Sequence, residues 1–336
     1  LRRYEGRSSF EVWLFGIAHN LCRRAPRSSA PVNPEVAWRT EPDTEESWID
    51  RRALVEALRD AVHLDNAGLQ VVRSQLNGRR DGVSVNRGAV GMDASSVRAE
   101  RWGLLCTNGV EAEIFWSRVS GSAGGLVAYG DNDVVVAHST CDGGDESEGL
   151  SGDGIHFQAS AGQLTVKDSS LEGEGNSPAA GRGLYASLTS TNALVLLIGT
   201  MVNADGQAPG LECQGGALLA SHCLFHSSGH AAAVLKYTNT LATLDNCTFY
   251  GMDEGNTNAA VLLYGVATNA APTPRIAHAV IRSVFPGSTA KYCIGLAGTV
   301  TTGRVALLNS VLSTNIDPRI SIVPARTNLT NGNFIP

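Results

Sequence analysis

The chain has 336 residues, of which 43% are aliphatic, aromatic or cysteine and 17% are charged, so it can bury a sizeable core and is not globally disordered. With 37 glycines and so few charges a coiled coil or helical bundle is excluded, and a net charge of −6 argues against a general nucleic-acid binder. No apolar run approaches the ~20 residues of a membrane-spanning helix; the best, from Ala193 to Ile198, is far shorter.

The first predicted element is a helix in residues 1–24. Ser8-Ser9-Phe10-Glu11 fits a capping box, with Ser8 at the cap and Glu11 three positions on. Phe10, Trp13, Leu14, Ile17, Ala18 and Leu21 then share one helical face. Arg23 and Arg24 suit the C-terminal end of the dipole, and Pro26 stops the helix. Residues 25–46 read as a linker punctuated by Pro26, Pro31, Pro34 and Pro42. Residues 47–62 form a second amphipathic helix. It is expected to cap the structure that follows, because a solenoid leaves unpaired strand edges and apolar side chains at its end.

From residue 63 to 336 the texture turns to Gly, Ser, Thr, Asn and short Val, Leu and Ile runs, and a repeat emerges. Its anchors are Ser74, Ser95, Ser117, Ser139, Ser169, Thr200, Cys223, Cys247, Ser283 and Ser310. Apolar residues recur five and three before each anchor and two after it, with Gly or another small residue four after. Positions −5 and −3 share one face of a strand, and so do 0 and +2. The three steps from −3 to 0 break the alternation and require a corner. The small residue at +4 turns the chain again. A third strand follows, as in Gly125-Leu126-Val127-Ala128 and Gly154-Ile155-His156-Phe157, with later copies at Val261 and Leu263, Ile294 and Leu296, and Ile320 and Ile322. Three strands and three corners close a coil, and each coil needs a neighbour to bury its apolar face. The fold class is therefore all-β: a right-handed parallel β-helix of about ten coils, about 48 Å long at about 4.8 Å per coil, preceded by a short α-helical N-terminal segment. Loops inserted at Gly144–Asp153, Glu174–Arg182 and Tyr264–Ala277 mark the faces where a glycan or protein would bind.

The repeat is similar to that of the pectate-lyase-like β-helix superfamily over roughly residues 64–325. The polygalacturonase signatures of those relatives, an Asn-x-Asp, an Asp-Asp pair, Gly-His-Gly and Arg-x-Lys, are missing. The rod accordingly reads as a non-catalytic scaffold; were it an enzyme, the resemblance implies a polysaccharide lyase or glycoside hydrolase. The string from Tyr4 to Leu21, with Gly6, Phe10, Trp13-Leu14 and Ile17-Ala18-His19-Asn20, resembles region 2 of extracytoplasmic-function sigma factors. That resemblance implies promoter −10 recognition together with RNA polymerase. Tyr4, Arg7 and Ser8 would lie in a base pocket, Asn20 would bond a base edge, and Arg23 and Arg24 would track phosphates. The polymerase-gripping helices that precede this region in the family are missing ahead of Leu1, and the first β-coil replaces the helix-turn-helix. A truncated or fused reading frame would account for both. The start carries no secretory signal, which reads as cytoplasmic, whereas β-helix relatives are often extracellular.

The candidate ligand cluster is acidic: Asp142, Asp145, Glu146, Glu148 and Asp153, with Glu172 and Glu174 one coil on. Carboxylates on stacked loops would hold Ca²⁺ through oxygen, although their order matches neither an EF-hand nor a Gly-rich calcium repeat; the alternative is a solvated acidic loop. No other cofactor and no transition-metal motif is expected, since the seven cysteines show no zinc spacing. Cys223 and Cys247 share the anchor column of consecutive coils, within disulfide reach, or are small corner-filling residues.

Overall fold

The computed structural model describes residues 62–78, 80–144, 152–175, 181–236, 240–252, 259–265, 272–284, 292–298 and 300–323. All regular structure within them is strand, and the strands pair in parallel, each with the strand one coil further on. The two expected helices, at residues 1–24 and 47–62, lie almost wholly outside the described residues. The one exception is Val62, assigned to the second helix, which instead opens the first strand, Val62–Val72.

The strand segments that follow the anchors stack into one ten-stranded sheet, from Gln75–Gly78 to Val311–Leu312. The other two segments of each turn form a 19-stranded sheet that wraps the remaining sides. Three separate strands per coil hold from the fourth coil on. In the first turns, the third segment of one coil and the leading segment of the next run on as single strands, Val62–Val72, Val83–Asp93 and Trp102–Phe115. They bend where Asn66, Arg87 and Asn108 take φ of 50°, 56° and 63°.

The corner before each anchor is made by a single left-handed residue. Arg73, Ala94, Trp116, His138, Asp168, Gly199, His222, Asn246, His278 and Asn309 all have φ between 45° and 59°. The anchor side chain then turns back on the backbone. The hydroxyls of Ser74, Ser95, Ser117, Ser139, Ser169, Thr200 and Ser310 donate to the carbonyl two residues earlier, at 2.7–3.0 Å. The thiols of Cys223 and Cys247 do the same at 3.2 Å. This explains why the column takes Ser, Thr or Cys: a short donor reaches the second lone pair of a corner carbonyl that, in coils 2 to 8 and in the last, also accepts a backbone N–H from the coil before.

Stacking in register gives the core its columns. Val97, Val119, Cys141, Leu171, Val202, Phe225, Phe249, Ile281 and Leu312, all at +2, follow one another fully buried. The rings of Phe225 and Phe249 stack at 5.1 Å. Each such side chain contributes about 1.5–3 kcal/mol on burial. A second column, Gly82, Gly103, Gly125, Gly154, Gly183 and Gly210, lies where the ten-stranded sheet turns into the third segment. A Cβ on Gly125 would stand 2.6 Å from the Asp142 nitrogen and 2.7 Å from the Gly154 oxygen.

Two parts of the expected repeat move. The ninth anchor is Ala279, not Ser283: Thr248 pairs with Val280, which sets Cys247 level with Ala279, and Gly251 pairs with Ser283, so Ser283 takes the +4 place. Ala279 lacks a hydroxyl, but its N–H donates to Ser310 Oγ at 3.2 Å, which keeps the column continuous. Ile320 and Ile322 pair with Gly303 and Val305 in the leading segment, and the third segment of the last coil is Asn315–Ile316.

Candidate functional site

The left-handed corner residues form a ridge on the outside of the rod. On coils 1–4 these are Arg73, Ala94, Trp116 and His138, all exposed. Trp116 has 64% of its surface in solvent, unusual for so large an apolar ring. Its indole stacks on the imidazole of His138 one coil on, with centroids 4.2 Å apart and planes 12° from parallel. Residue 116 reaches the surface because the corner turns position −1 out of both flanking sheets.

Beside the ridge lies the outer face of the ten-stranded sheet. Gln75, Ser96, Arg118 and Thr140 form its first outward column, and Asn77, Arg98, Ser120 and Asp142 the second. Two adjoining shallow grooves, of about 650 and 430 Å³, run over these side chains and share Gln75, Ser96 and Arg118. Arg118 donates from Nη2 to Asp142 Oδ2 at 2.6 Å. Arg73 and Arg98 are exposed and form no ion pair among the described residues. The face therefore presents one flat aromatic ring, three guanidinium groups, one carboxylate and several hydroxyls and amides.

The acidic cluster is partly brought together. Asp142 and Glu172 are register neighbours on this outer face, and Glu174 stands beside Asp205. Ser170 donates its hydroxyl to Glu172 at 2.9 Å. Asp145, Glu146 and Glu148 lie outside the described residues. Among the described residues no group of three or more His, Cys, Asp or Glu converges as a metal site.

Asp153 belongs to a different place. It is fully buried at the start of the segment Asp153–Ala159. Its Oδ1 accepts from the Arg182 backbone N–H at 2.9 Å and from Nε at 3.0 Å. Its Oδ2 accepts from Arg182 Nη2 at 3.3 Å and from His156 Nδ1 at 3.1 Å. Arg182 continues through Nη1 to Glu212 Oε2 at 3.0 Å, and Glu212 Oε1 meets Lys236 Nζ at 2.6 Å. Charges of alternating sign thus climb four coils, and each buried ion has a partner, without which its desolvation would be prohibitive. Burial alone would lower the Arg182 guanidinium, but Asp153 and Glu212 outweigh it and hold the group above its usual range. The rings of Tyr129 and Tyr185 flank His156, with centroids at 5.4 and 4.7 Å, and Arg182 lies 4.0 Å over the Tyr185 ring. Burial, and next the charge of Asp153, push the Tyr129 phenol up.

Cys223 and Cys247 are free thiols. A hydrogen bond between them lowers Cys223 and raises Cys247. Tyr4, Arg7, Ser8, Asn20, Arg23 and Arg24 lie outside the described residues. Sequence reasoning missed Trp116, Arg73, Arg98, Arg118, Arg182 and the role of His156. The signal for Trp116 was its place directly before the Ser117 anchor, at an offset the repeat had not used. Among the described residues no helix is long and apolar enough to cross a membrane. Compared with protein-family models, curated proteins and solved structures, the chain matches none at a significant level.

Proposed function

We propose that the chain is a right-handed parallel β-helix of the pectate-lyase-like kind and that it serves as a scaffold binding an acidic polysaccharide across coils 1–4. The hand is supported by the strong preference of parallel crossover connections for the right-handed sense. The observation that carries the binding reading is the exposed Trp116 ring, fixed by stacking on His138 and flanked by Arg73, Arg98 and Arg118. A flat ring with a partly apolar face suits the face of a sugar ring. Guanidinium groups pair with carboxylate or sulfate in bidentate fashion, and the neighbouring hydroxyls and amides serve sugar hydroxyls. An open groove along the stacked coils suits an extended chain better than a small molecule, which favours enclosed pockets.

The test is affinity electrophoresis or calorimetry with polygalacturonate, alginate and a sulfated glycan against the neutral glycan dextran. Retarded migration in the acidic glycans, lost with Trp116→Ala, supports the reading; equal migration of both proteins ends it.

The sigma-like string from Tyr4 to Leu21 favours a second reading, residual promoter −10 contact by residues 1–24 with the rod as a fused appendage. Binding of the full chain to single-stranded −10 DNA at low salt, with and without polymerase, tests it. Loss of binding on Asn20→Ala supports that reading, and no binding in either condition overturns it.

A further inference from the structure

The leading strand of coil 6, Leu194–Ile198, is apolar at every position. Val195 and Leu197 are fully buried in the core, so Leu194, Leu196 and Ile198 point out of the rod. A parallel strand that is apolar on both faces has the pattern of one covered on both. The leading strands of coils 7 and 8 extend the patch in register with Ala217, Leu219 and Leu241, and the last two keep 39% and 52% of their surface in solvent. In the coils before, the same outward columns carry Glu111 and Glu113, then Asp133, then Gln163, Thr165 and Lys167.

Charge is distributed about this patch with opposite signs at its two ends. Glu111, Glu113 and Asp133 lie on coils 3 and 4, whereas Arg275 lies on coil 9, in the column of Glu113, Leu196 and Leu219. Closer in, Lys167 on coil 5 and Asp245 on coil 8 share the column of Ile198. Glu113, Lys167 and Arg275 form no ion pair among the described residues, and Asp245 meets the exposed His278 at 2.8 Å. An acidic end, an apolar centre and a basic end match their own reversed copy.

We propose that this face is the interface of a symmetric dimer, in which the rod packs against a second copy of the chain running in the opposite direction. The two-fold axis lies along the strands, between coils 6 and 7. It sets coil 6 on coil 7 of the second copy, coil 5 on coil 8 and coil 4 on coil 9, and it keeps each outward column over itself. Leu196 then meets Leu219 of the second copy, Lys167 meets Asp245, and Glu113 lies within one coil of Arg275. Every contact occurs twice. Rods packed in the same direction would place Glu113 on Glu113, Arg275 on Arg275 and Leu241 on Asp245, so charge selects the reversed arrangement. Five residues by eight coils give a footprint of roughly 16 by 38 Å, about 600 Å² per protomer. The two footprints together, about 1,200 Å², reach the lower end of stable specific interfaces. The grooves of coils 1–4 lie on the ten-stranded sheet, across the corner ridge, and stay open in this dimer.

The test is sedimentation velocity of the full chain from about 1 to 100 μM, the range in which interfaces of this size begin to associate. Wild type is expected to sediment at twice the chain mass at the upper end. Leu219→Lys is expected to weaken association about 100-fold, with the circular dichroism of the fold unchanged because the side chain is exposed. Lys167→Glu and Asp245→Lys are each expected to weaken it about tenfold, and the two changes in one chain to restore it. A monomer at every concentration overturns the proposal. So does a dimer that Leu219→Lys leaves intact, since it must use another face. Single charge variants without effect, or a double variant that does not recover, overturn the reversed packing.

Discussion

The backbone N–H of Ser95 donates to the hydroxyl of Ser117, one coil on, at 3.0 Å, while that hydroxyl donates to the Phe115 carbonyl at 2.7 Å. The same link joins Ser74 to Ser95, Ser117 to Ser139 and Ser139 to Ser169. Each hydroxyl thus bridges its own corner and the coil before it. Ser117→Ala leaves the buried Ser95 N–H unpaired, while the Phe115 carbonyl keeps the Ala94 N–H at 3.1 Å, and is expected to destabilise the fold by about 1–3 kcal/mol. Ser117→Thr, the type already present at Thr200, is expected to be close to neutral. Chemical denaturation of the two variants beside wild type checks this.

Gly125 gives a steric prediction. Both atoms nearest to an added Cβ are backbone and cannot rotate away. Gly125→Ala is expected to lose about 1–3 kcal/mol, read as a lower Tm. Ala232 and Ala260 carry a methyl group at the equivalent place in later coils, so Ala232→Gly is expected to have the smaller effect.

The acid limb of stability has an assigned contributor near the end of the rod. Asp317 is held below the usual carboxylate range, chiefly by the Arg319 side chain, which donates from Nε at 3.0 Å and from Nη2 at 2.6 Å. A lowered folded value means that this contribution is present above the unfolded value near 4 and is lost as pH falls through the folded one. Asp317→Asn is expected to flatten the pH dependence of Tm below about pH 4 and to change it little between pH 6 and 8.

Burial pushes the thiols of Cys106, Cys141 and Cys213 up to about 12, and all three are fully buried. A thiol-specific reagent at pH 8 is expected to leave these three unmodified in the native protein and to label them after denaturation. Peptide mass mapping of the labelled protein tells the sites apart.

Binding at the grooves of coils 1–4 is expected to weaken with ionic strength, because Arg73, Arg98 and Arg118 are all exposed. Arg98→Ala together with Arg118→Ala is expected to lower affinity for an acidic glycan at least tenfold, about 1.4 kcal/mol. The same pair of changes is expected to remove most of the salt dependence. Titration at several salt concentrations checks both.

Periodicity alone revealed the rod, since nine of the ten anchors stand where the offsets put them. The ninth failed for a physical reason. Val280 and Phe285 imitate the apolar places around Ser283, while the true anchor, Ala279, borrows its hydrogen bond from Ser310. The left-handed corners were invisible because Arg, Ala, Trp, His and Asp fill seven of the ten, and Gly or Asn, the usual markers, stand only at Gly199, Asn246 and Asn309. Asp153 read as one more loop carboxylate. Its burial depends on Arg182, 29 positions away, and no local pattern encodes that pairing.

Serine links span 21 or 22 residues between the early coils and 30 from Ser139 to Ser169, yet the side chains on either side of that longer step keep their columns. The extra length enters between Gly143 and Asp153, at the small-residue turn, the place where such a rod can carry a balcony. A duplicated stretch of one full turn would add a storey and preserve every face. A gain of a single residue within a strand would send each later side chain to the opposite side until the next turn absorbed it. Growth by whole storeys, with novelty confined to the balconies, is the evolutionary path such a chain leaves open.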